Sequence, residues 1–271
     1  MVNMKWYTTC TVATLLSLIS FVQGTRFISK EAEEIYKSNI NMNLNTKTSF
    51  PMQQANISAY LSAAAICGME KYESMILKGP AVGFEVKSII YDEKTDMQGY
   101  IGVLPSDEAI YVVFRGSASI KNWIVNVDAI KTEYTSFDEC IDCNVHKGWY
   151  TAEQNVIQYV IQQVKSLQEI YPKYVVKVTG HSLGAAVAQL TTMDLAKNGI
   201  KTSMINFGQP RTGDVNYATF VPSIVDVATT WRVTHDKDTV VHLPPTVDGR
   251  EDETYQHICT EEFEDINGIF K

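Results

Sequence analysis

The residues best placed to do chemistry are Gly180-His181-Ser182-Leu183-Gly184. A serine with glycine two positions away on either side reads as a nucleophile elbow when a strand precedes it and a helix follows. Both contexts are present. Residues 173–179 (Lys-Tyr-Val-Val-Lys-Val-Thr) are rich in β-branched side chains, and residues 185–190 (Ala-Ala-Val-Ala-Gln-Leu) contain neither Gly nor Pro. In so tight a turn larger neighbours would collide, which accounts for the glycines. The turn holds the Ser182 hydroxyl clear of a sheet, with a helix N-terminus behind it to favour developing negative charge. That is acyl-transfer chemistry, and it also needs an oxyanion hole, a base and a group that orients the base. The backbone N–H of Leu183 supplies one oxyanion donor. A second is expected from a loop after an earlier strand. Val112-Val113-Phe114-Arg115-Gly116-Ser117 fits: Gly116 allows a sharp turn, and Ser117 offers an N–H and a hydroxyl.

The stretch that follows carries Ile120, Trp123, Ile124 and Val127, spaced i, i+3, i+4 and i+7. Those positions form one apolar face of a short helix. The face suits a lid that covers the site when closed and meets a lipid surface when open; a helix packed permanently on the core has the same periodicity.

These groups need a scaffold. Residues 31–40 and 53–67 read as helices, and 84–91, 100–104 and 110–114 as strands, the first two joined as a hairpin around 92–96. Residues 152–170 form a long helix with Val156, Tyr159, Val160, Val164 and Leu167 on one face, stopped by Pro172. Residues 203–207 and 229–233 add strands. Alternating strands and helices imply a mainly parallel sheet covered on both faces. No repeat, low-complexity segment or linker divides the chain.

The first 24 of the 271 residues read as a secretory signal peptide: Lys5, then a short apolar core over 10–22, then small residues at Val22 and Gly24 for cleavage. The core is shorter than the roughly 20 residues a membrane span needs. Residues 25–271 then make one domain, and secretion is the expected address. A net formal charge of −8 argues against nucleic acid and against electrostatic docking to anionic lipid. The cysteines beyond the leader are Cys67, Cys140, Cys143 and Cys259, an even number that suggests two disulfides. Three connectivities are open; Cys140–Cys143 with Cys67–Cys259 is the expected set. No second CxxC or paired histidine completes a zinc site, so neither metal nor cofactor is implied. Asn56-Ile57-Ser58 is an N-glycosylation sequon within a helix-like stretch.

Five blocks, in order, resemble the fungal-lipase-like (class 3) lipases: YVVFRGSASIKNWIVNVD at 111–128, VHKGWY at 145–150, VTGHSLGAA at 178–186, FGQPRTGD at 207–214 and RVTHDKDTVVHLPP at 232–245. The CxxC before VHKGWY is reminiscent of feruloyl esterases in the same superfamily. The resemblance implies an α/β-hydrolase fold with a short helical lid and a Ser-Asp-His triad in that chain order. Ser182 becomes the nucleophile, Asp238 the acid (with Asp236 close by), Ser117 and Leu183 the oxyanion donors, and Trp123 the lid tryptophan. It further implies a secreted hydrolase of carboxylic esters, above all acylglycerols at a lipid–water interface. Feruloyl-type esterase, phospholipase A1 and a catalytically silent lipid-binding protein are its alternatives.

The resemblance breaks at the histidine. Of His146, His181, His235, His242 and His257, only the last two follow Asp238. His242 sits in the HLPP block, a structural position in the family. The residues around His257 resemble a non-catalytic block that lies upstream of the catalytic one, and the sequence ends at Lys271 before the latter. The readings are a C-terminal truncation, His257 as the base, or a non-catalytic member. The match of the surrounding block predicts a gap beside Ser182 and Asp238, with His257 elsewhere.

Overall fold

The computed structural model describes residues 50–73, 75–117, 129–245, 254–258 and 260–265. Its first element is helix α1 (Met52–Ala65), followed by a hairpin of β1 (Glu85–Asp92) and β2 (Met97–Leu104) and then β3 (Ala109–Phe114). Short strands β4 (Lys131–Glu133) and β5 (Asn144–His146) lead into the long helix α2 (Lys147–Ile170). Next come β6 (Val175–Gly180), α3 (Leu183–Lys197), β7 (Thr202–Phe207), β8 (Gly213–Asp214) and α4 (Val215–Ile224). Strands β9 (Thr230–His235), β10 (Tyr255–Gln256) and β11 (Glu261–Glu264) complete the set.

Seven strands form the central sheet in the order β1-β2-β3-β6-β7-β9-β11. The β1–β2 and β2–β3 pairs are antiparallel; from β3 onward every neighbour is parallel. The mainly parallel sheet expected from the strand–helix alternation is therefore observed. Strand β3 shows why it reads as an unbroken apolar run. Ile110, Val112 and Phe114 enter the core shared with α2, α3 and α4, while Ala109, Tyr111 and Val113 pack against Ile57, Leu61 and Ala65 of α1 on the other face. A second sheet, β10-β8-β5-β4, is small and antiparallel.

Helix α2 departs from expectation in two ways. It starts at Lys147 rather than residue 152, because the His146 ring accepts the Trp149 N–H at 3.4 Å and caps the first turn. Its buried face runs through Trp149, Ala152, Glu153, Val156, Ile157, Val160, Ile161, Val164 and Leu167. Tyr159, expected on that face, lies one position off the stripe and is 41% exposed. The helix ends where Pro172 forbids continuation, as expected. Strand β11 was not foreseen: Glu-Glu-Phe-Glu carries charge suited to the sheet edge it occupies rather than an apolar signal.

The expected leader, the helix over 31–40 and the lid residues Ile120, Trp123, Ile124 and Val127 lie outside the described residues. Asn56 of the sequon is exposed on α1.

Candidate active site

Ser182 stands between the last residues of β6 and the first of α3, as its flanking sequence requires. Its backbone takes φ 57° and ψ −125°, a conformation that residues with a Cβ rarely adopt. The surroundings hold it there. The Ser182 N–H donates to the Phe207 carbonyl at 3.0 Å, and its own carbonyl accepts the Ala185 N–H at 3.0 Å. Gly184 N–H closes the turn onto the His181 carbonyl, also at 3.0 Å. The side chain is fully buried, and Oγ has no hydrogen-bond partner. A buried hydroxyl without a partner costs stability, so it marks a position where something other than packing is served.

The C-terminal end of β3 abuts this turn. A Cβ on Gly184 would stand 2.5 Å from the Phe114 carbonyl oxygen and 2.7 Å from that of Arg115, so only glycine lets the two backbones approach. A Cβ on Gly116 would stand 3.5 Å from Cβ of Ser182. Ser117, the expected second oxyanion donor, directly follows that contact and is partly exposed. Arg115 anchors the segment from behind. Its N–H donates to Gln98 O at 2.8 Å, and its guanidinium pairs with Asp96 at 2.8 Å. Leu183, the other expected donor, opens α3.

On the far side lies Asp238, in the turn after β9. Its N–H donates to the His235 carbonyl at 3.0 Å, and its Oδ1 accepts the Val240 N–H at 2.9 Å. Oδ2 stands 2.9 Å from where a Gly208 Cβ would be, and His181 Nε2 stands 3.4 Å from the same point. Gly208 has φ 53°, so it serves both the turn and the close approach of the acid. The His181 ring thus faces the carboxylate. Burial lowers its pKa from the ordinary 6.5, and the Asp238 charge opposes that shift. Neither Gly208 nor the His181 ring is marked as functional by the motif itself. The signal available was the glycine directly after an apolar strand, in Phe207-Gly208-Gln209-Pro210.

Gln209, one residue on, joins a buried amide network. Asn206 Nδ2 donates to the Ala185 carbonyl at 2.8 Å and to Gln209 Oε1 at 2.9 Å. Gln209 Nε2 in turn donates to Gln189 Oε1 on α3. The first turns of the nucleophile helix are therefore tied to the strand that accepts the Ser182 N–H.

His257 is not at the site. Its Nε2–H donates to the Val241 carbonyl at 2.7 Å, while its Nδ1 and the Ser182 hydroxyl each lack a partner. Its environment also opposes the role. Burial, then the nearby Arg232 cation, push its pKa well below the ordinary value, whereas a base for Ser182 must become imidazolium. His257, the candidate base, thus hydrogen-bonds to the Val241 carbonyl and not to the Ser182 hydroxyl. His146 caps α2, and His235 and His242 are exposed.

Cys140 and Cys143 form a disulfide with Cα atoms 5.5 Å apart. Cys67 is an exposed free thiol; Cys259, its expected partner, lies outside the described residues. Among the described residues no group of His, Cys, Asp and Glu could hold a metal ion. No helix among them is long and apolar enough to cross a membrane.

The class 3 lipase profile matches residues 111–248. A lipase of Rhizomucor miehei is 37% identical over 150 residues, which cover 53% of this chain and 40% of that one. Secreted mono- and diacylglycerol lipase 1 of Fusarium solani is 30% identical over 236 residues, covering 87% of this chain and 61% of its own. The chain therefore spans roughly half of these relatives' length. A solved triacylglycerol lipase, described as having a serine protease triad at its catalytic centre, superposes with a TM-score of 0.70 at 26% identity, over 79% of this chain and 80% of that one.

Proposed function

Because the chain belongs to the class 3 lipase family and has the α/β-hydrolase fold, we propose that it is a secreted carboxylic ester hydrolase acting on acylglycerols, with Ser182 as nucleophile. The observation that carries this reading is the strained Ser182, its hydroxyl unpartnered, at the head of α3 and against the end of β3. Ser182 Oγ attacks the ester carbonyl, and an imidazole takes its proton. The N–H groups of Leu183 and Ser117 stabilise the oxyanion, as does the N-terminus of α3. The tetrahedral intermediate collapses, the C–O bond breaks, and the alcohol leaves with the proton from the imidazolium. Water then repeats the sequence on the acyl-enzyme. Asp238 orients the imidazole and supports its positive charge. The apolar face of Ile120, Trp123, Ile124 and Val127 serves as the lid that meets the lipid surface. If so, a polar residue at Trp123 should depress hydrolysis of emulsions more than of dissolved short esters.

A second reading rests on the same hydroxyl. None of the five histidines hydrogen-bonds to Ser182. Without a base, a serine hydrolase retains only about 10³–10⁴-fold catalysis over water. A chain in that condition would bind acylglycerol or other lipid without turning it over.

One experiment separates the two. The full chain is treated with a fluorophosphonate, the labelled peptide is mapped, and hydrolysis of mono-, di- and triacylglycerols, phospholipids and soluble aromatic esters is followed. Labelling at Ser182, with acylglycerol turnover that Ser182→Ala removes, supports the enzyme. Lipid binding with neither labelling nor turnover supports the silent protein, and label on another serine overturns the site.

A further inference from the structure

A buried charged cluster lies outside the proposed chemistry. Glu153 of α2 is 0% exposed, and Asp194 of α3 is 6% exposed. One amide bridges them: Gln154 Nε2 donates to Glu153 Oε2 at 2.8 Å and to Asp194 Oδ2 at 3.2 Å, so the two carboxyls lie side by side. Asp194 Oδ2 also accepts Ser136 O–H at 3.0 Å, whereas Glu153 Oε1 meets no N–H or O–H donor. Two buried carboxyls that share one donor are relieved when one of them holds a proton, and a carboxylic O–H donating to a carboxylate is a strong hydrogen bond. Two anions side by side in so dry a place would repel each other strongly.

The groups facing the pair are consistent with a single negative charge. Lys197 on α3 is the cation beside Asp194. Tyr134 from the segment after β4, Tyr217 from α4 and Tyr150 from α2 line the rest. Burial keeps the Tyr134 and Tyr217 hydroxyls neutral well past the usual tyrosine range. It also holds Glu153, helped by the Asp194 charge, well above the carboxylate range, and raises Asp194 as well.

What the pair grips is the segment 134–143. That segment is closed on itself by the Tyr134 N–H to Cys143 carbonyl bond at 2.9 Å and by the disulfide. Its apolar side chains pack in the core, and its polar attachment to the helices runs through Ser136, whose hydroxyl binds Asp194 and whose carbonyl accepts from Lys197. The Tyr150 hydroxyl reinforces it, at 3.1 Å from that of Thr135 and 3.2 Å from that of Ser136. We propose that Glu153 and Asp194 hold one proton between them, and that this proton is the clasp fixing segment 134–143 to α2 and α3. Its loss as pH rises releases the segment. The clasp stands or falls independently of any activity at Ser182.

The sign follows from linkage. A carboxyl whose folded pKa is raised contributes its full stability below the unfolded pKa, and that stability is lost as pH rises through the folded pKa. Thermal unfolding of the full chain, followed from about pH 6 to about pH 9, should show a falling midpoint. In Glu153→Gln the amide N–H replaces the acid O–H and cannot be removed. The decline should then shrink by roughly 2–4 °C for each unit by which the pair's pKa is raised. Glu169→Gln, which removes an exposed carboxyl near the end of α2, should leave the slope in place. Infrared spectroscopy of the unaltered protein gives a second readout that survives a misfolded variant. A protonated carboxyl band should persist at neutral pH and vanish over the range in which the midpoint falls. Equal slopes in the parent and Glu153→Gln overturn the clasp, and so does the absence of that band.

Discussion

The turn around Ser182 and the region from β9 to His257 carry the two halves of the proposed site, and they are built differently. Around Ser182 the decisive contacts are backbone contacts: N–H to Phe207 O, Gly184 against the Phe114 and Arg115 carbonyls, and the first bonds of α3. They follow from a strand, a glycine-bounded turn and a helix that adjoin in sequence. Around Asp238 the turn is equally local, but the imidazole must come from elsewhere. The histidine 19 positions further on, His257, is spent on the Val241 carbonyl. A nucleophile's pose can be written in a pentapeptide, whereas a base's pose depends on which distant loop delivers it.

The strongest test of that contrast is Ser182→Ala. Loss of the nucleophile should lower kcat by about 10⁶-fold where turnover is present, and should abolish phosphonate labelling, with the unfolding midpoint little changed. Asp238→Asn comes next. If the acid orients an imidazole, kcat should fall by about 10⁴-fold with KM nearly unchanged. A fall of less than tenfold would detach the β9 turn from the chemistry.

What the sequence made legible follows the same division. The elbow, the approach of β3, and the layered sheet rested on periodicity and glycine spacing, both of which are short-range signals. The fate of His257 rested on three-dimensional context, since its burial and the Arg232 cation have no trace in the Tyr-Gln-His-Ile string. Glu153 was hidden for a related reason: on a helical wheel it counts as polar surface, and only the packing of α2 on α3 buries it. Buried amides such as Asn206 and Gln209 likewise look like loop residues until their partners are known.

A smaller effect is expected from Gly184→Ala. The added methyl must displace the Phe114 carbonyl, 2.5 Å away, so the β3 end and the elbow would part slightly. Overpacking of this kind costs about 1–3 kcal/mol, and the shifted oxyanion donors should lower kcat more than they raise KM. Urea unfolding with matched kinetics would show whether stability and kcat fall together. A variant as stable and active as its parent would mean that the two backbones do not make this contact.

The smallest effect on activity is expected at His257, and it bears most directly on the contrast. If its ring only binds the Val241 carbonyl, His257→Gln retains an N–H for that bond and should change kcat/KM by less than about tenfold, far from the loss of about 10⁶-fold expected of a triad base. The change should appear in stability against pH instead. In the unfolded chain His257 takes up a proton near the ordinary value of 6.5; in the folded chain burial and Arg232 resist it. The unfolded state therefore binds more protons as pH falls. The stability linked to this group is full above the unfolded pKa and is lost as pH drops toward the folded one. Glutamine has no proton to take up, so the acid-side decline of the midpoint should be shallower in the variant than in the parent. A steep loss of kcat/KM with unchanged acid slopes would put His257 back beside Ser182 and erase the difference between the two regions.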